Sequence, residues 1–218
     1  MTDQRTIAEA LLFEGNKLVT NGLVVGSGGN LSGRLPDSEG FLITPSGYSL
    51  AELTPDQLVR VGFDGSVAEG QLPPSSEWPM HAAAYVARPD AEYVFHLHPP
   101  VSTTLHAIGQ PIRHLTTDHA YYVRDLHEVP YINSGSPELA KAVAAQLDGA
   151  EVVLLKHHGC LLVAGTPDLA YQRAMNLEAA AMASYRAVMM GDTTTVTPPE
   201  YMQWIGERER AGLGYGKS

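Results

Sequence analysis

Two apolar, β-rich runs constrain the fold of this chain more than any other feature of its sequence. The first run spans residues 91–98 and is stopped by two prolines, and the second spans residues 151–156 and is followed by two histidines and a glycine. Segments with helical periodicity lie before, between and after these runs. Strands that alternate with helices are typical of α/β or mixed α+β domains. At 218 residues, we expect one domain that spans residues 1–218.

The helices and strands are predicted from apolar periodicity and from capping and breaking residues. A glycine-rich segment, residues 26–30, is suited to tight turns rather than to a regular element. The predicted elements are, in chain order, a helix over 3–20, a strand over 40–44, a helical turn over 53–58, a helix from about 76 to 87, a strand over 91–98, a helix that opens at 101–106, a strand over 151–156 and a long helix over 166–190.

The charge balance limits the partners of this chain. It has 14 basic and 24 acidic residues, a formal net charge of -10, so neither nucleic acid nor an anionic membrane is an expected partner. No apolar run approaches the roughly 18 residues that a membrane span needs. The N-terminus lacks the pattern of a signal peptide and there is a single cysteine, Cys160, so we expect a cytoplasmic protein.

Three histidines at the ends of the two apolar strands form a candidate metal site. His96 and His98 stand two apart in a strand, so their side chains leave the same face. His158 follows the other strand, whereas the neighbouring His157 is expected to face away from it. With a carboxylate, three imidazoles suit Zn²⁺, and Mn²⁺ or Co²⁺ are possible. Glu77, at a predicted helix start, is the candidate carboxylate.

An acidic chain that binds a phosphate ester has to do so locally, through backbone N–H groups and hydroxyls. Three segments supply such groups: the glycine-rich segment, a Pro-Ser-Gly turn and the serines before Glu77. Each segment taken singly is most often an ordinary turn, but three of them beside a metal cluster indicate a phosphate pocket. Its candidate residues are Gly29, Asn30, Ser46, Gly47, Ser75 and Ser76.

Together, these segments resemble the class II aldolase/adducin family. The resemblance covers nearly the whole chain in the right order, and the motif set is highly specific. The motifs that carry it are Gly-Gly-Asn-Leu-Ser (28–32), Ile-Thr-Pro-Ser-Gly (43–47), Ser-Ser-Glu-Trp-Pro-Met-His (75–81), Arg-Pro-Asp followed by His-Leu-His (88–98), and His-His-Gly (157–159).

The resemblance implies a three-layer α/β/α fold around a mostly antiparallel sheet, and a homotetramer with active sites between subunits. It implies that His96, His98 and His158 bind zinc, and that Glu77 completes the metal shell and acts as the acid/base. The implied reaction is aldol cleavage of a ketose 1-phosphate, such as L-fuculose 1-phosphate or a similar deoxyketose phosphate. Cleavage of the carbon–carbon bond would release a small aldehyde and leave a metal-stabilised enediolate, and protonation of the enediolate would give dihydroxyacetone phosphate. Tyr215 resembles a tail tyrosine that reaches toward the aldehyde half of the substrate. The reaction needs a second acid that protonates the aldehyde-side oxygen, and Tyr215 is the candidate.

One stretch departs from the family's fuculose-cleaving enzymes, because Thr116 aligns with their catalytic tyrosine. The second acid is therefore open between Tyr215 and four neighbours of Thr116, namely Asp118, His119, Tyr121 and Tyr122.

Other activities of the family stay open as alternatives. The 4-epimerases that act on L-ribulose 5-phosphate carry Asp at the position of Glu77, and their catalytic acid aligns with Ala120, so both positions favour an aldolase. Dehydratases and decarboxylases of phosphosugars are harder to separate from an aldolase. An adducin-like interaction module needs no intact metal site, and the full ligand set argues against one.

Overall fold

The computed structural model describes residues 3–37 and 39–212 and has one mixed sheet of seven strands. The strands are β1 (Asn30–Arg34), β2 (Gly40–Ile43), β3 (Val59–Gly62), β4 (Tyr93–Leu97), β5 (Leu126–Val129), β6 (Val152–Leu155) and β7 (Gly159–Ala164). Their order across the sheet is β3-β2-β1-β4-β7-β6-β5. Only β5 and β6 pair in parallel, and the other described pairs are antiparallel. The predicted mostly antiparallel sheet is confirmed.

Helices cover both faces of this sheet. None of them, within the part of the chain that the structure describes, is long and apolar enough to cross a membrane. The helices are α1 (Gln4–Thr20), α2 (Trp78–Ala87), α3 (Pro100–Ala107), α4 (Thr117–Val123), α5 (Pro137–Gln146), α6 (Pro167–Met189) and α7 (Pro199–Arg210), with a 3-10 turn at Pro55–Gln57.

The core lies in two layers, one on each face of the sheet. Side chains of a strand point alternately to the two faces, and β4 divides between the layers in this way. Phe95 packs in the layer that holds α1 and α6, whereas Val94 packs in the layer that holds α2 and α5. Since His96 is two residues from Val94, its side chain emerges on the face that α2 covers. The three-layer α/β/α prediction is confirmed.

The second apolar strand lies where it was predicted, but the chain after it differs from the prediction. The strand β6 stops at Leu155, and the chain turns through His157, whose φ is 58°. It then returns as β7, a strand that was not predicted from the sequence and that pairs with both β6 and β4. His158 therefore lies in the turn between two central strands. This turn brings it beside His98, which lies one residue beyond the end of β4.

Gly159 at the start of β7 allows β7 to lie close to β4. A Cβ atom there would lie 2.2 Å from the carbonyl oxygen of Leu97 and 2.7 Å from Cδ2 of His98. The oxygen belongs to the backbone of a central strand, so it cannot rotate away. We expect Gly159→Ala to lower the free energy of unfolding by about 2 kcal/mol, as overpacking does. The midpoint of thermal unfolding, measured without metal, should fall by roughly 4–8 °C.

Gly165, just after the end of β7, provides a matched control. Its added Cβ would meet nothing within 4 Å, and like Gly159 it is free of the positive φ that favours glycine. We expect Gly165→Ala to change the free energy of unfolding by no more than about 0.5 kcal/mol. Equal effects of the two substitutions would contradict the close approach of β7 to β4.

Candidate metal centre

Four side chains from three separate segments of the chain converge at one end of β4. They are Glu77, His96, His98 and His158, and one potential ligand atom from each lies within 4.8 Å of the others. The Nε2 atom of His96 lies 2.9 Å from both Glu77 Oε2 and His98 Nε2. The Nε2 atom of His158 lies 3.3 Å from Glu77 Oε1. The turn after β6, the end of β4 and the residue before α2 together build the cluster.

The hydrogen bonds of His96 show that this cluster fits a cation. Its Nδ1 lies 2.9 Å from the backbone oxygen of Cys160, and because a carbonyl only accepts, Nδ1 carries the hydrogen. In the neutral ring the lone pair is then on Nε2, which faces His98 and the Glu77 carboxylate. Glu77 Oε1 is also buried without a hydrogen-bond donor. Acceptors that face one another across such distances suit a shared metal ion, and the carbonyl partner of His96 is typical of metal-binding histidines.

The electrostatic environment favours the metal-binding protonation states. Burial lowers the pKa of His98 to about 4, helped by the neighbouring His96 and His158. Burial and the neighbouring His96 lower the pKa of His158 as well. Burial alone would raise the pKa of Glu77, but His96, His158 and the Asn30 amide outweigh it and hold this pKa below its usual range. At neutral pH the cluster therefore offers His98 and His158 as neutral imidazoles and Glu77 as an ionised carboxylate, which suit Zn²⁺.

The loops predicted to bind phosphate lie side by side next to the cluster. Two backbone hydrogen bonds join them, from Ser46 N to the Pro73 oxygen at 3.0 Å and from Ser75 N to the Thr44 oxygen at 3.1 Å. Ser46, Gly47 and Ser76 are exposed, so their groups are accessible to a ligand. Ser75 is buried, and its hydroxyl accepts a 3.3 Å hydrogen bond from Glu77 N.

The glycine-rich segment reaches the same region through strand β1. Gly29 has a φ of 70°, and a Cβ there would lie 2.9 Å from the backbone oxygen of His96. Asn30 pairs with His96 across β1 and β4. Its side chain is buried and its Nδ2 donates to Glu77 Oε2 at 3.1 Å. The amide that was predicted to bind phosphate thus contacts the carboxylate of the metal cluster.

The four described candidates for the second acid lie together on one helix. Asp118, His119, Tyr121 and Tyr122 lie on α4, whose helical neighbours are α6 and α7. Tyr215 lies outside the described residues. The structure thus describes the candidate metal ligands and the loops predicted to bind phosphate, and the identity of the second acid stays a prediction.

Three residues near the cluster were not singled out by the sequence analysis. His81 donates to the Asn30 amide oxygen, Thr44 Oγ1 accepts from Leu31 N, and Gly135 approaches the backbone of Ser76. The sequence contains a weak indication for two of these residues, His81 and Gly135. His81 is four residues from Glu77, which places both on one side of a helix start, and Gly135 lies in an Asn-Ser-Gly-Ser turn before α5.

Comparison with known proteins agrees with this fold and this set of residues. Residues 9–185 match the model of the class II aldolase and adducin N-terminal domain. The chain belongs to the class II aldolase and adducin family.

Several relatives of this chain are named as sugar-phosphate aldolases. It is 32% identical over 207 residues to the 5-methylthioribulose-1-phosphate/5-deoxyribulose-1-phosphate aldolase of Rhodospirillum rubrum. The aligned residues cover 93% of this chain and 90% of the relative. It is 32% identical over 193 residues, 86% of each chain, to the L-fuculose phosphate aldolase of Escherichia coli. A solved L-fuculose 1-phosphate aldolase superposes with a TM-score of 0.85 at 31% identity, over 94% of this chain and 96% of that one.

Proposed function

We propose that this protein is a metal-dependent lyase that cleaves a ketose 1-phosphate to dihydroxyacetone phosphate and a small aldehyde. The observation that carries the proposal is the convergence of Glu77, His96, His98 and His158. The names of the relatives support aldol chemistry on a phosphorylated sugar. They also point to L-fuculose 1-phosphate or a 5-deoxyketose 1-phosphate as the substrate.

The four clustered side chains would hold a divalent ion, with Zn²⁺ as our assignment. When bound, this ion supplies a Lewis acid for the negative charge that develops on the substrate oxygens. In the proposed reaction the bond between C3 and C4 breaks, and a proton moves overall from the C4 hydroxyl to C3. We assign the proton transfer at C3 to Glu77. We assign the transfer at the C4 oxygen to Tyr215, which would take up the hydroxyl proton in cleavage and protonate the same oxygen in condensation.

The phosphate of the substrate would bind at the joined loops beside the cluster. We assign its contacts to the exposed Ser46, Gly47 and Ser76, with Gly29, Asn30 and Ser75 building the wall toward the metal. Backbone N–H groups and hydroxyls suit this role in a chain of net charge -10, because they act at short range.

We also propose the homotetramer with active sites between subunits. Exposed apolar side chains at Ile108, Met189 and Met190 support burial of this surface against another subunit. A stable monomer in light scattering would contradict the oligomer without affecting the chemistry.

The proposal is tested by measuring release of dihydroxyacetone phosphate from a panel of sugar phosphates by zinc-loaded protein. The panel holds L-fuculose 1-phosphate, 5-deoxyribulose 1-phosphate, 5-methylthioribulose 1-phosphate and L-ribulose 5-phosphate. We expect release from at least one ketose 1-phosphate, and loss of this release in His96→Ala. The ranking within the panel identifies the aldehyde half. Metal-loaded protein that releases none, or that only epimerises L-ribulose 5-phosphate, would overturn the aldolase assignment.

A further inference from the structure

A chain of buried polar side chains runs from Glu77 into the layer between the sheet and α2. Asn30 Nδ2 lies 3.1 Å from Glu77 Oε2, and His81 Nε2 lies 2.6 Å from Asn30 Oδ1. Ser32 Oγ then lies 2.6 Å from His81 Nδ1 and 2.8 Å from the hydroxyl of Tyr85. Ser32 and His81 are 0% exposed. A buried polar group is costly without a partner, and here each group has one.

Regular spacing on two elements builds this chain. Asn30 and Ser32 are two apart on β1, so they share the face that α2 covers. His81 and Tyr85 are four apart on α2, so they share the helix face that meets β1. The side chains of the two pairs therefore alternate across the contact between β1 and α2. The chain of hydrogen bonds ends at Glu77, directly before α2.

The direction of every hydrogen bond in the chain follows from the ionised carboxylate. Because Glu77 only accepts, Asn30 must turn its NH₂ group toward it and its Oδ1 toward His81. His81 must then carry its hydrogen on Nε2. Burial lowers the pKa of His81 to about 3, so the ring is neutral and its Nδ1 accepts from Ser32. Ser32 in turn accepts from Tyr85, and burial raises the pKa of that phenol above its usual range.

We propose that His81 and Ser32 are positioning residues that lock the Asn30 amide and thereby hold Glu77 in its metal-facing orientation. The inference rests on the proposed metal site. With His81 in place, a flipped Asn30 would set its NH₂ against the Nε2 hydrogen of His81 and its Oδ1 against the carboxylate. If residue 81 does not donate a hydrogen bond, only the repulsion between Oδ1 and the carboxylate opposes the flip of the Asn30 amide. Glu77 then loses a hydrogen-bond donor that is fixed in one orientation. Partners of this kind typically contribute about 10–100-fold to metal affinity or activity.

The first test compares two substitutions of His81 by titrating the metal-free protein with Co²⁺ and recording the visible absorption bands of the bound ion. His81→Leu removes the donor to Asn30, and we expect about 10–100-fold weaker Co²⁺ binding with altered bands. His81→Gln can still donate to Asn30, and we expect affinity within about threefold of the unmodified protein. Equal loss in both variants would overturn the inference, as would unchanged affinity in His81→Leu with only a lower unfolding temperature.

The second test uses two equally buried serines, so that it stands even if His81→Leu fails to fold. Ser32 is 0% exposed and Ser184 is 1% exposed. Ser184 bonds to the backbone of Arg113, outside the chain of polar groups. We expect Ser32→Ala to weaken Co²⁺ binding by about 10-fold and Ser184→Ala to leave it unchanged. Equal affinities in the two variants would overturn the inference. If the unmodified protein bound no Co²⁺, the metal site itself and this inference would both be contradicted.

Discussion

Replacing His158 with Asn is expected to lower release of dihydroxyacetone phosphate by about 10³-fold, because it removes one of the proposed metal ligands. The same replacement at His157 should leave release unchanged. The two histidines are adjacent in the turn between β6 and β7, yet His158 Nε2 lies 3.3 Å from Glu77 Oε1. His157 is exposed, with its ring centroid 6.5 Å from that of Tyr131.

Asparagine is chosen for both positions because His157 has a φ of 58°, a conformation that Asn tolerates better than most residues. Bound zinc, measured by elemental analysis after dialysis, should fall well below one equivalent in His158→Asn alone. If His157→Asn lost its metal as well, the effect would lie in the turn rather than in one ligand. If both variants kept metal and activity, His158 would be excluded as a ligand.

Half of the candidate metal site could be predicted from the sequence because its signal is local. His96 and His98 share a strand end, and that spacing alone predicts two imidazoles on one face. Glu77 and His158 are distant in sequence, and their convergence depends on the order of strands across the sheet. Spacing cannot supply that order. The sequence offered His158 only as a residue at the end of the other apolar strand and Glu77 only as a carboxylate at a helix start, and resemblance to a family then joined them to His96 and His98.

The parts that the sequence did not reveal have physical reasons. Residues 159–164 begin with a glycine after two histidines, a pattern typical of a chain that leaves the sheet, but they form β7. Because β7 pairs with β4 on one side and with β6 on the other, it is buried along its whole length. His81 was missed because a histidine on an apolar helix is most often an ordinary core residue. Its significance depends on partners from β1, and no pattern within α2 contains that information.

Glu77→Gln is expected to lower release of dihydroxyacetone phosphate by about 10³-fold, the size of effect typical of a lost general acid or base. The substitution preserves the shape of the side chain and removes its charge. The amide oxygen of the new side chain can still accept from Asn30 Nδ2, which lies 3.1 Å from Glu77 Oε2. The three histidines remain, so we expect the variant to fold and to retain metal at raised zinc concentration.

A partial reaction separates the two roles assigned to Glu77. Dihydroxyacetone phosphate alone, incubated with the unmodified protein in D₂O, should exchange a C3 proton at a rate that NMR can follow. In zinc-loaded Glu77→Gln we expect this exchange to fall by about the same 10³-fold, because no carboxylate remains to carry the proton. Glu69→Gln, at an exposed position, serves as the control for loss of a negative charge. Unchanged exchange in metal-loaded Glu77→Gln would show that another group carries the proton. If the Glu77→Gln variant loses exchange only when it loses zinc, and regains exchange when zinc is restored, Glu77 acts only as a metal ligand.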